Sequence, residues 1–83
     1  MRMGKKIYVG NLNYATREEQ LEELFTPYGT VESTVIVSDK YTDRSKGFGF
    51  VEMETEDAAA TAIEELNGTE LDGRQLRVNV AHE

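Results

Sequence analysis

Eighty-three residues leave room for one domain, and a domain of this size buries roughly 60% of the surface its unfolded chain exposes, so the core has to be economical. With 39% hydrophobic and 30% charged residues the balance is globular, and the lack of any cysteine excludes a disulfide framework, a thiolate nucleophile and cysteine-ligated zinc or iron–sulfur sites. The net charge of −7 excludes a chain that is basic throughout and makes the placement of its charges the question.

Met1-Arg2-Met3-Gly4-Lys5-Lys6 leads into a strand without the apolar stretch of a signal peptide, and no later run is apolar for long enough to span a bilayer. A soluble, cytoplasmic chain with no membrane partner is expected. Lys6 to Leu12 alternates apolar residues with others, which predicts a first strand. Thr16-Arg17-Glu18-Glu19 has the form of a capping box, with the Thr16 hydroxyl accepting from the Glu19 amide. It opens a helix over Arg17–Phe25, in which Leu21, Leu24 and Phe25 fall at helical spacing, and Pro27 with Gly29 stops it. Val31 to Val37 is rich in β-branched residues and predicts a second strand, followed by a polar loop from Ser38 to Ser45.

Lys46 to Met53 forms a third strand, with Phe48, Phe50 and Glu52 on one face and Gly49, Val51 and Met53 on the other. Thr55 caps a second helix over Glu56–Leu66, whose Ala59, Ala62, Ile63 and Leu66 make one apolar stripe and which Asn67-Gly68 ends. Leu71-Asp72-Gly73-Arg74 is a turn, and Gln75 to Val80 alternates as a fourth strand. The order strand, helix, strand, strand, helix, strand predicts an α+β, ferredoxin-like βαββαβ sandwich. Residues 1–83 then form a single domain, a four-stranded antiparallel sheet with both helices on one face.

The two helical segments hold Glu18, Glu19, Glu22, Glu23, Glu56, Asp57, Glu64 and Glu65 against one base, Arg17. They therefore carry the whole net charge, while the strands and loops are neutral in sum. The informative anomaly lies on the other face of the sheet. By alternation Tyr8, Phe48 and Phe50 all point away from the helices, and large rings exposed to water are costly unless something covers them. Side by side on adjacent strands they offer a platform for unstacked bases, at about 1–3 kcal/mol per stacked base. Lys6, Lys46 and Arg77 alternate onto the same face and can meet phosphates, and Asn79 can pair with base edges. Gly47 and Gly49 fall between the rings on the inward face, where a missing side chain lets a helix approach the sheet.

These residues resemble the signatures of the RNA-recognition-motif family, and the likeness covers essentially the whole chain. Lys46-Gly47-Phe48-Gly49-Phe50-Val51-Glu52-Met53 is similar to the family's octamer, and Ile7-Tyr8-Val9-Gly10-Asn11-Leu12 to its hexamer. The nearest likeness is to single-domain bacterial RNA-binding proteins and plant glycine-rich RNA-binding proteins. The resemblance implies that Tyr8, Phe48 and Phe50 stack bases and that Lys46 meets the backbone. Several positions depart from the pattern. Met53 replaces the octamer's last aromatic and faces the core. Thr34 takes a usually apolar inward position and Val35 a usually polar outward one, so that either Val35 adds an apolar contact to the open face or a bulge shifts the register. Glu52 faces outward, where it repels phosphate and can accept from a base amine. The sequence ends at Ala81-His82-Glu83 without a basic or glycine-rich tail, and weak to moderate binding is expected.

Gly47-Phe48-Gly49 is not a dinucleotide fingerprint, because no third glycine opens a helix after it. Asp39 and Asp43 are too few for a cation loop. The expected RNA-binding set is Tyr8, Phe48, Phe50, Lys46, Lys6, Asn11, Arg44, Glu52, Arg77 and Asn79, with no catalytic residue, metal ligand or cofactor. The expected partner is single-stranded RNA, with single-stranded DNA as a related ligand, bound by a monomer that takes no small-molecule substrate and is not an enzyme. The alternative is a protein–protein interaction module on the same fold.

Overall fold

The computed structural model describes residues 5–42 and 45–81. The elements are β1 (Lys6–Gly10), α1 (Glu18–Phe25) with a 3-10 turn after it (Thr26–Tyr28), β2 (Val31–Ser38), β3 (Ser45–Met53), α2 (Glu56–Leu66), β4 (Glu70–Leu71), β5 (Arg74–Gln75) and β6 (Arg77–Val80). Four strands form an antiparallel sheet in the order β2-β3-β1-β6, and β4 with β5 makes a separate hairpin. Ile7, Val9, Val51, Met53 and Val78 alternate inward and are fully buried against Leu21 and Phe25 of α1 and Ala59, Ala62 and Leu66 of α2. Both helices therefore cover one face, and the predicted sandwich is the one observed. Met53 is buried, as its inward position requires.

The second helix matches its predicted bounds because its ends are chemically marked. The Thr55 hydroxyl accepts from the Ala58 N–H at 3.1 Å. The first helix starts one residue later than predicted. Arg17 is its cap residue, and its N–H donates to Gln20 Oε1 at 2.8 Å. Thr16 does not cap it: its buried hydroxyl donates instead to the Asp72 carboxylate at 2.7 Å. The predicted fourth strand is broken at Leu76, whose side chain turns into the core and whose N–H donates to Thr69 O at 2.7 Å. Residues before the break form the hairpin, closed by Asp72 and Gly73 with φ of 51° and 81°.

Both alternatives for the second strand are realised together. Val31 and Ser33 oppose the adjacent residues Met53 and Glu52, so Glu32 is bulged out. That extra residue inverts the alternation, turning Thr34 and Ile36 inward and Val35 outward, where it is 49% exposed. The expected role of the glycines is corrected. A side chain at Gly49 would strike the backbone of Val35 and Ile36, so this glycine admits the neighbouring strand rather than a helix. Gly47 has φ +84°, a conformation glycine adopts without strain, at the second irregularity of the β2–β3 pairing. Both edge strands are blunted by side chains: Ile36 N–H donates to Glu18 Oε2 at 2.9 Å on β2, and Val78 N–H to Asn67 Oδ1 at 3.0 Å on β6.

Candidate nucleic-acid interface

The face opposite the helices is organised in rows by strand register. Asn79, Tyr8, Phe50 and Val35 are successive Cα partners across β6, β1, β3 and β2 and form a row spanning the whole sheet. One step along the strands, Arg77 pairs with Gly10, and Phe48 lies level with them on β3. One step the other way, Lys6, Glu52 and Ser33 form a third row.

Tyr8, Phe48 and Phe50 make a nearly equilateral triangle, with ring centroids 6.0, 6.1 and 6.0 Å apart. Their attitudes differ. Tyr8 and Phe48 are inclined by only 33°, whereas Phe50 stands at 64° to Tyr8 and 88° to Phe48. Lys6 Nζ lies 4.9 Å from the Phe50 centroid, a cation–π contact that holds this ammonium on the platform. Two rings thus lie tilted beside each other, and the third makes a T-shaped contact with Phe48 and has a cation over its own face.

The predicted polar members divide into two groups. Lys46, Glu52, Arg77 and Asn79 are exposed on the open face, and among the described residues the side chains of Arg77 and Asn79 have no hydrogen-bond partner. Asn11 is placed differently. It adopts φ +59° and donates from Nδ2 to Gln75 O at 2.6 Å, while its Oδ1 accepts from Arg74 Nη2 at 2.6 Å. Both ends of its amide fasten the hairpin to β1, so Asn11 belongs to the scaffold. Arg44, Asp43 and His82 lie outside the described residues. Asp39, in the loop before β3, accepts from the Tyr41 and Thr42 N–H groups at 2.7 and 3.2 Å. These two bonds, the Tyr41 one foremost, hold its carboxyl below the usual aspartate range despite a small opposing effect of desolvation, and nearby Lys46 adds to the lowering.

Two features escaped sequence reasoning. Tyr14, 67% exposed, sits in the loop after β1, where there is no periodicity to mark it. Its ring is what a side chain at Gly47 would meet first, at 3.4 Å, so it flanks the start of β3. The other is the tie between loop and hairpin: Asp72 accepts from Thr16 and from Gln20 Nε2, and its carbonyl accepts from Asn13 Nδ2. No local pattern joins residues more than fifty positions apart.

Residues 7–77 match the family model described as RNA recognition motif. The chain belongs to that family. It is 46% identical over 81 residues to glycine-rich RNA-binding protein 4, mitochondrial, of Arabidopsis thaliana, covering 98% of this chain and 60% of that protein. The chain spans no more than three-fifths of the length of that and the other curated relatives it matches. Among solved structures, RNA-binding protein PG1 superposes with a TM-score of 0.91 at 55% identity, covering 94% of each chain. The Rna15 RRM with bound GU RNA superposes with a TM-score of 0.85 at 31% identity, covering 96% of this chain and 85% of that one. The RNA-recognition-motif signatures fall on β1 and β3, the two central strands.

Proposed function

We propose that this chain binds single-stranded RNA across the open face of its sheet. The observation that carries the reading is the triangle of half-buried rings on the face opposite the core. Tyr8 and Phe48 are neighbours tilted by 33° and are suited to receive two successive bases, each worth about 1–3 kcal/mol. Phe50, steeply turned from both, is suited to pack by its edge against the intervening sugar. Lys46, Arg77 and Lys6 meet phosphates, and Asn79 and Glu52 pair with base edges at the two ends of the platform. The flanking Tyr14 borders the path of the strand at the start of β3. Among the described residues the face holds no activated nucleophile with its base, and the function proposed is binding without chemistry.

NMR titration of the 83-residue chain with a nine-nucleotide GU-repeat RNA tests this reading. Shifts are expected at the four sheet strands, and shifts confined to α1 and α2 would refute it. The salt dependence is a second check. With about three cations at the face and roughly 0.7 per neutralised phosphate, the slope of log affinity on log salt is expected near −2. A slope several times steeper would place the RNA on another surface.

A further inference from the structure

Tyr8 lies over Gly10, two residues on along the same strand, and we propose that Gly10 is a positioning residue that sets the attitude of the Tyr8 ring toward RNA. This deepens the reading of the open sheet as an RNA-binding face and rests on it. Gly10 ends β1, pairs with Arg77 and belongs by alternation to the open face, yet it is buried. Its cover is Tyr8. The three heavy atoms nearest to a Cβ placed on Gly10 all belong to that side chain, with Cε2 at 2.7 Å, Cζ at 2.8 Å and the hydroxyl oxygen closer still.

The backbone does not ask for glycine here. Gly10 is not among the positive-φ residues, in contrast to Gly47 at +84°, and alanine would be conformationally acceptable at this position. The nearest obstacle also differs in kind from that at Gly49, where an added carbon would strike the backbone of β2: at Gly10 the three nearest atoms all belong to one side chain. What a methyl group at Gly10 meets first is a side chain that can rotate away. Alanine therefore leaves the sheet intact and lifts the Tyr8 ring out of its place beside Phe48, 6.0 Å away and inclined by 33°. Gly10, between Val9 and Asn11, is thereby given a physical role, since the absence of a side chain there lets the Tyr8 ring lie along the strand.

The test is a double-mutant cycle on the whole chain with Gly10→Ala, Tyr8→Ala and the pair, read by affinity for the nine-nucleotide GU-repeat RNA, by urea midpoint and by the NMR shifts of the rings. Tyr8→Ala is expected to weaken binding about tenfold or more. Gly10→Ala should weaken it several-fold and move the Tyr8 and Phe48 ring signals while leaving the core methyl signals in place. The pair should bind like Tyr8→Ala alone, because the glycine acts through that ring. Losses that multiply in the pair, or a Gly10→Ala chain that binds like the parent while Tyr8→Ala does not, would overturn the positioning role and leave the platform standing. A Tyr8→Ala chain that binds like the parent would overturn both. If Gly10→Ala proves destabilised, the same cycle in urea decides: the loss must vanish when Tyr8 is alanine, and its persistence there refutes the inference.

Discussion

Asn79 on β6 and Asn11 just past β1 are the same residue type near the same sheet, and so are Arg77 and Arg74, yet the structure uses the two pairs in opposite ways. At the hairpin junction Asn11, Arg74, Thr16, Gln20 and Asp72 are joined by side-chain hydrogen bonds of 2.6 to 3.0 Å. On the open face Arg77 and Asn79 are exposed and, among the described residues, without such partners, beside the half-buried rings of Tyr8 and Phe48. The difference teaches how to separate scaffold from site in a small domain. A polar group satisfied within the chain contributes to stability, whereas one held out on rigid strands keeps its hydrogen-bonding capacity for a ligand.

The sharpest way to break this comparison is to mutate one member of each region and measure both stability and binding. Phe48→Ala is expected to cost about tenfold or more in RNA affinity, from about 1–3 kcal/mol of lost stacking, with little change in the urea midpoint. Isothermal titration beside a urea melt measures the two together. A large loss of stability with unaltered affinity would assign Phe48 to the scaffold.

Asp72→Ala should do the reverse. It removes the acceptor of the buried Thr16 hydroxyl and of Gln20, and it places alanine at φ 51°. A loss of about 1–3 kcal/mol in unfolding free energy is expected, with RNA affinity unchanged in the folded chain. If affinity fell in step with stability, hairpin and platform would be energetically coupled and the two regions would not be separate.

Thr34 sharpens the contrast from a third side, because its hydroxyl is buried and, alone among the buried polar atoms of the described side chains, has no partner. It faces inward opposite Val51. Replacement by valine, near in shape and without the polar atom, should raise stability by about 1 kcal/mol and leave binding as it was. Thermal melts of Thr34→Val would settle the sign, and destabilisation would mean that the hydroxyl does satisfy a bond.

How much of this could be read beforehand follows from the range of the interactions. The α2 bounds and the inward faces of β1 and β3 were legible because cap chemistry and alternation are local. The three rings were legible as a group once β1 and β3 were taken as neighbours. Asn11 could not be told from Asn79, since its partners are Gln75 and Arg74, far along the chain. Thr16 misled for the same reason: a satisfactory local cap was written in the sequence, and a distant carboxylate outcompeted it. The turn from Leu71 to Arg74 was legible, but the two short strands it joins were missed because two-residue strands have no period to detect, and Gly10 because crowding by a ring is a property of space and not of pattern.

The smallest expected effect lies where the two regions meet the loop before β3. Asp39 lies at the surface, so its ionisation bears little on global stability, but its carboxylate receives the Tyr41 and Thr42 N–H groups and its acidity is raised by them. Because the folded form holds this group below its unfolded value, the associated stabilisation is complete above the unfolded pKa and is lost as pH falls through the lowered folded one. An NMR acid titration should therefore show the Tyr41 and Thr42 amide signals moving together with the Asp39 carboxyl, at a midpoint below that of an aspartate in an unstructured peptide. The ring signals of Tyr8 and Phe48 should not follow the Asp39 midpoint, since the platform is held by strand register. A midpoint at or above the peptide value would show that the turn gives the carboxylate no support. Movement of the platform rings in the same step would show that the loop and the open face act as one unit, contrary to the division drawn between groups satisfied within the chain and groups held out for a ligand.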